Sequence, residues 1–233
     1  MMCTTLLTAA LGLQAHGTSL RAGRHCHCRA GSSVCLDKQE VMGRLSAVPV
    51  FGVANGAGQL MSTVDAETGD SVVVFYLDVA EAQASLAAEA AADPTADLRL
   101  KVAPLATAFA AQSAGGSVRL QPSQAEYNSI RQNLGFGAAR PEEGEMQLVP
   151  LFYSDALNFE SASGGEMRPL FFSAGDFREA WGASGQAADQ LPALQLIDLR
   201  SLAYKMEHGE DEGWRSAVLI PPEASVEYAS GQR

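Results

Sequence analysis

Cysteine and histidine are almost absent from most of the chain. All four cysteines and three of the four histidines lie within the first 36 of the 233 residues. Residues 37–233 therefore hold no cysteine and a single histidine, His208. For that part of the chain the distribution excludes thiol catalysis, a disulfide framework and cysteine-based zinc binding.

Basic residues and long apolar runs are scarce as well. The formal net charge is −11, and because the first 36 residues carry three arginines and no acid, the remainder carries −14. Nucleic acids and anionic lipids are bound through clusters of lysine and arginine, so this balance argues against both as partners. After the first 36 residues, no apolar run reaches the about 18–20 residues that a membrane span needs. We therefore expect peripheral membrane association at most.

The first 36 residues have the composition of an organelle transit peptide, with arginine, serine, threonine, glycine and alanine but no acid. We predict an organelle transit peptide over residues 1–40, cleaved between Arg29 and Arg44. The apolar stretch at residues 6–13 has no basic residue before it, which disfavours a secretory signal, although a bipartite signal stays open. The Cys/His string at residues 25–28 is interpreted as part of the same peptide rather than as a metal site.

The search for catalytic motifs is negative. The glycine-rich stretch at residues 52–58 lacks a following Gly-Lys-Ser/Thr and predicts a hairpin turn. There is no Gly-x-Ser-x-Gly sequence. His208 lies beside the acidic residues 207–212, which favours a solvated helix end, and that acidic run lacks EF-hand spacing. The sequence thus predicts no enzyme, catalytic residue, metal or cofactor. The enzymatic alternative is a metal-free hydrolase using serine and aspartate, against which the missing histidine and cysteine count.

One series of elements occurs twice along the chain. A Val-Pro-x-Phe sequence opens each copy, at residues 48–51 and 149–152. Each continues with an apolar strand rich in β-branched and aromatic residues, a helix, a short alternating strand and a second helix. The prediction is an α+β fold with α/β-like alternation, built from two pseudo-symmetric βββαβα lobes. Two unrelated halves remain the alternative.

The same repeated pattern predicts the boundaries of the lobes, of the linker between them and of the tail. Lobe one covers residues 46–115, a strand–helix linker 116–145, lobe two 146–222 and a loose tail 223–233. Helix starts are predicted at Asp78, at Ser123 and at Ser173, with Glu81 and Glu126 as capping-box partners of the first two.

Four segments resemble the Tic22 family, the small peripheral subunit associated with the translocon at the inner envelope of chloroplasts, together with its cyanobacterial relatives. They are residues 48–51, 168–176, 198–207 and 214–222. The resemblance covers residues 46–222 and is more specific in the C-terminal half.

This resemblance implies a non-catalytic, chaperone-like factor of the chloroplast envelope intermembrane space that takes part in import of precursor proteins into the plastid. It also implies that residues 1–40 are a plastid transit peptide. Its partners would be unfolded precursors and translocon subunits. The alternatives are a structural adaptor of the translocon or a plastid paralogue with another location. The family also implies one apolar groove per lobe, which holds extended chains. Aromatic residues on strands or near them are the candidates for precursor binding: Phe136, Phe152, Phe159, Phe171 and Phe172.

Overall fold

A computed structural model describes six segments of the chain, residues 36–65, 69–133, 148–161, 165–185, 191–209 and 212–231.

The first half of the chain forms a five-stranded sheet, here called sheet one. Its β3 segment is rich in β-branched and aromatic residues, which suit a pleated, half-buried surface, whereas α2 is rich in alanine, a strong helix former. In chain order the elements are α1 (Lys38–Leu45), β1 (Pro49–Asn55), β2 (Thr63–Val64), β3 (Ser71–Tyr76), α2 (Val79–Ala92), β4 (Leu98–Pro104), α3 (Leu105–Ser113), β5 (Val118–Gln121) and α4 (Gln124–Asn133).

The second half repeats this series from β1 onward and forms sheet two. A single extra turn of helix, α7, precedes its last strand. The elements are β6 (Pro150–Tyr153), β7 (Phe159–Glu160), β8 (Glu166–Phe171), α5 (Ala174–Ala183), β9 (Gln195–Asp198), α6 (Leu199–His208), α7 (Glu212–Arg215), β10 (Ala217–Ile220) and α8 (Glu223–Gly231).

The two sheets have the same strand order. In sheet one β5, β3, β1 and β4 lie side by side, and β2 also pairs with β3. In sheet two the order is β10, β8, β6 and β9, and β7 pairs with β8. The pairs β5–β3 and β10–β8 are parallel and the others antiparallel. The α+β class and the repeated, two-lobed arrangement predicted from the sequence are confirmed.

The repeat is longer than the six elements predicted for each lobe. Strand β5 pairs with β3 and buries Leu120, so the segment predicted as a linker supplies a fifth strand to sheet one. The equivalent elements at the end of the second half are β10 and α8. Residues 223–231, predicted as a loose tail, are therefore helical. The helix was not predicted because this segment has little apolar periodicity. A buried hydroxyl and one aromatic ring hold the helix in place.

The last helix of each half reaches the opposite half. In α8, the Ser225 hydroxyl accepts a hydrogen bond from the Val79 backbone N–H at 3.3 Å and donates to the Leu77 carbonyl at 3.1 Å. In α4, at the equivalent place, Glu126 accepts a hydrogen bond from the Ser173 hydroxyl at 2.9 Å. The last helices of the two halves, α4 and α8, thus each dock on the other half. We call this arrangement the exchange of closing helices.

The predicted helix starts are confirmed at Asp78 and Ser173, whose side chains accept hydrogen bonds from backbone N–H groups of the first turn. The predicted capping-box partners do something else. Glu81 accepts a hydrogen bond from the backbone N–H of Gln124, and Glu126 binds Ser173. Glu81 therefore joins α2 to α4 within the first half, and Glu126 joins α4 to the second half.

One apolar core is shared by both sheets. Buried residues from β1, β3, α3 and β5 of the first half contact buried residues from β6, β8, α6 and β10 of the second. Smaller clusters lie on the outer faces, under α2 and α8 for sheet one and under α5 for sheet two. The central part of each sheet is thus covered on both faces, and the halves form one folding unit.

Helix α1 crosses the predicted end of the transit peptide at residue 40 and precedes the predicted start of lobe one at residue 46, yet it belongs to the folded part. Its capping residue, Asp37, forms a reciprocal capping box with Glu40. Val41 and Leu45 are each 1% exposed in the shared core. The backbone N–H of Leu36 also bonds to the Met206 carbonyl at 3.3 Å. The folded part therefore includes Leu36.

Candidate functional site

The predicted aromatic site residues do not lie together on an exposed surface. Phe152 and Phe171 are each 2% exposed and Phe172 is 5% exposed. Phe159 is half-buried, and its ring meets that of Phe171 edge to face. Phe136 lies outside the described residues. Precursor binding by these residues stays a prediction. Phe152 and Phe171 are buried, and Phe172 lines only a small depression beside Leu77 and Pro150.

The burial of these rings follows from the two covered faces of sheet two. Phe171 points to the outer cluster, where it meets Phe177 of α5 edge to face with ring centroids 5.7 Å apart. Its neighbour Phe172 points to the shared core. Where these rings lie, both faces of sheet two are covered, so neither ring has an open sheet face to line.

Where the halves meet, carboxylates gather near the first turns of α2, α4, α5 and α8. Burial raises the pKa of Asp176, as do the nearby charges of four other carboxylates, and one of its oxygens is buried with no hydrogen-bond partner among the described residues. The four neighbours are Glu126, Glu179, Glu223 and Asp78. Helix N-termini favour such negative charge, so the cluster has a structural explanation at the exchanged helices.

The surface best arranged for binding is the outer edge of β4, at one end of sheet one. Strand β4 pairs with β1 on one side, and no described strand pairs with it on the other. Alternate residues of an antiparallel ladder exchange hydrogen bonds with the partner strand. Because the Leu105 N–H bonds to the Val48 carbonyl, the backbone groups of residues 99, 101 and 103 face β1. Those of Leu98, Leu100 and Val102 face outward and form what we call the β4 edge.

The two faces of β4 differ in chemistry. Leu100 and Val102 pack on the outer face against the cluster under α2. On the other face, Arg99 and Lys101 are exposed. The Arg99 guanidinium donates to the Gly56 carbonyl, and the Lys101 ammonium donates to the Gly58 carbonyl at 2.8 Å. An apolar side and a basic side thus run along the same edge.

Sheet two has an equivalent but shorter edge on β9. The Leu199 N–H bonds to the Val149 carbonyl, so the backbone groups of Leu194 and Leu196 face outward by the same argument. Strand β9 has four residues, whereas β4 has seven. The open edge of sheet one is therefore the larger of the two.

An open edge binds extended polypeptide by adding it as a further strand. The outward N–H and C=O groups supply main-chain hydrogen bonds, and side chains on the two faces discriminate between sequences. In the described ranges, no three histidine, cysteine, aspartate or glutamate side chains group as metal ligands. In the same ranges, each helix is too short or too polar to cross a bilayer.

Sequence reasoning identified β4 as a strand but missed its edge position. Two signals were available. Arg99 and Lys101 alternate with apolar residues, and basic side chains are common on edge strands. Pro104 closes the strand opposite Pro49, at a position that needs no ladder hydrogen bond. The strand order itself depends on long-range pairing, which no local pattern reveals.

Two solved structures that resemble this chain in fold come from the family whose model matches its sequence. The model of the Tic22-like family matches residues 11–231. Tic22 from Plasmodium falciparum has a similar fold, with a TM-score of 0.65 and 16% identity over 82% of this chain and 96% of that chain. Tic22 from Anabaena, described with protein transport, has a TM-score of 0.61 and 20% identity over 84% of this chain and 97% of its own. No curated protein sequence matches significantly.

Proposed function

Because the chain belongs to the Tic22-like family, we propose that it is a non-enzymatic, chaperone-like factor in the import of precursor proteins into the plastid. In this proposal it acts as a peripheral protein of the envelope intermembrane space, where it binds extended precursor segments and contacts translocon subunits. The protein-transport description of the Anabaena relative supports the same general role.

The observation that carries the proposal is the β4 edge. Its outward backbone groups, on Leu98, Leu100 and Val102, match the hydrogen-bonding needs of any unfolded chain. Main-chain hydrogen bonds depend little on the amino-acid sequence of the bound segment, which suits a factor that handles many precursors. It also needs no nucleotide.

The N-terminal segment completes the proposal. We propose that the targeting peptide ends before Leu36 rather than at residue 40, because Leu36 and Asp37 make hydrogen bonds of the folded unit. Helix α1 would then be the first element of the mature protein.

The test is suppression of aggregation of a chemically unfolded precursor by the full chain, followed by light scattering with and without ATP. We expect suppression that is independent of nucleotide. Leu98→Pro should weaken it, because proline removes an outward N–H and its ring obstructs an added strand, while the ladder with β1 loses no bond. Leu98→Ala is the matched control, since it shortens the same side chain and keeps the N–H.

Two results would count against the proposal. Absence of suppression at excess protein would favour a structural adaptor of the translocon. Suppression that requires ATP would show that a catalytic site exists. Equal activity of Leu98→Pro and Leu98→Ala would leave the chaperone role in place but move its site away from β4.

A further inference from the structure

We propose that the β4 edge selects extended segments in which acidic and apolar residues alternate. The inference rests on the proposed function, because it names the class of polypeptide that the same edge would take. Its basis is the pair Arg99 and Lys101, which lies on one face of the edge, while Leu98, Leu100 and Val102 occupy the other.

The pleat of an added strand fixes which side chains meet. Successive side chains point to opposite faces of a sheet, so every second residue of the added strand lies on the face of Arg99 and Lys101. Residues 99 and 101 send their backbone groups to β1, so they would form non-hydrogen-bonded pairs with a strand that is added antiparallel to β4. Side chains are closest in such pairs, and opposite charges there are stabilising.

The two basic groups have donors to spare. Arg99 uses one guanidinium N–H on the Gly56 carbonyl, and Lys101 uses one ammonium N–H on the Gly58 carbonyl. A guanidinium has five donors and an ammonium three. Within the described ranges, no carboxylate lies within 4.0 Å of either group as an ion pair. The loop carbonyls therefore hold the charges on this face without neutralising them.

The net charge of the molecule opposes the binding of acidic segments. The whole chain carries −11, and this net charge by itself would repel an acidic segment. A preference for acidic segments must then come from a local basic surface. Sheet two offers an internal comparison. Counted from the matching residues Pro104 and Asp198, neutral Ala193 and Gln195 stand where Arg99 and Lys101 stand in sheet one.

The experiment measures fluorescence anisotropy of three labelled peptides with the full chain. All three alternate valine with a second residue, which is glutamate, glutamine or lysine. We expect the glutamate peptide to bind roughly 2- to 30-fold more tightly than the glutamine peptide, since each opposite-charge cross-strand pair contributes about 0.2–1 kcal/mol. The lysine peptide should bind more weakly than the glutamine peptide. Raising the salt concentration should reduce the difference.

A charge reversal with a matched control makes the test specific to β4. The double variant Arg99→Glu and Lys101→Glu should prefer the lysine peptide. The control, Lys38→Glu with Arg178→Glu, reverses two exposed charges on α1 and α5 and changes the net charge by the same amount. It should keep the preference for glutamate. Thermal melts of both variants show whether each is folded.

Three outcomes would overturn the inference. The peptides could bind equally, the control could lose the preference as fully as the β4 variant, or sedimentation could show a dimer that Leu98→Pro abolishes, with a second copy on the edge. Any of these, with aggregation suppression intact, refutes the charge selection and spares the proposed function. If the chain prefers the glutamate peptide but does not suppress aggregation, the chaperone function is refuted, while the β4 edge remains a binding site for acidic segments.

Discussion

The exchanged helix α8 gives the sharpest test of the fold, through the substitution Ser225→Ala. Ser225 is 0% exposed, and its hydroxyl is bonded to the Val79 N–H and to the Leu77 carbonyl in the first half. Alanine fits the same space but leaves one donor and one acceptor buried without this partner.

An unsatisfied buried polar group costs about 1–3 kcal/mol. With two such groups, we expect Ser225→Ala to lower the free energy of unfolding by at least about 2 kcal/mol. For a chain of this size that corresponds to a decrease in Tm of roughly 4–8 °C. Circular dichroism melts measure the decrease, and hydrogen exchange should show faster exchange of the Val79 amide and of the α8 amides.

Ser230→Ala is the matched control, in the same helix. Ser230 is exposed, and its hydroxyl donates only to the Val226 carbonyl, at 2.8 Å. Removing it should change stability by no more than about 0.5 kcal/mol. If Ser225→Ala and Ser230→Ala had the same small effect, α8 would not be docked on the first half, and the exchange of helices would be wrong.

Three further predictions follow from the core, the carboxylate cluster and the N-terminus. Leu45→Ala should lower the free energy of unfolding by about 2–5 kcal/mol in urea titrations, because Leu45 is 1% exposed in the shared core; an effect below 1 kcal/mol would exclude α1 from that core. The raised pKa of Asp176 means that its protonation stabilises the folded state as the pH falls through that pKa and that this contribution is lost as the pH rises. Asp176→Asn should therefore flatten this part of the profile of urea midpoint against pH, and an unchanged profile would contradict the assignment. Mass spectrometry of the protein from isolated plastids should find its N-terminus between Arg29 and Leu36; a start within α1 would show that this helix is dispensable.

The local elements were predictable from the sequence because their signals are local. The helix starts at Asp78 and Ser173 depend on short side chains that reach the next turn of backbone. The repeat was visible because Val-Pro-x-Phe and an apolar strand recur in the same order. These features need no knowledge of what the elements contact.

The site was less predictable, because burial and pairing are properties of the assembled molecule. Phe171 and Phe172 are adjacent on the chain, and nothing local says that helices cover both of their faces. Glu81 and Glu126 fit the spacing of capping boxes, yet each bonds to another element that the fold brings near. The position of β4 at an edge likewise depends on which strands pair.

The exchange of closing helices has a consequence for the order in which the protein can fold. The hydrogen bonds that complete the first half join residues 146 and 148 positions apart in the chain. On a ribosome, or during passage through a pore, sheet one would emerge long before the helix that covers part of its outer face. Contacts this distant form late, and apolar surface is exposed in the meantime. Part of the outer face of sheet one would thus stay exposed until nearly the whole chain has emerged.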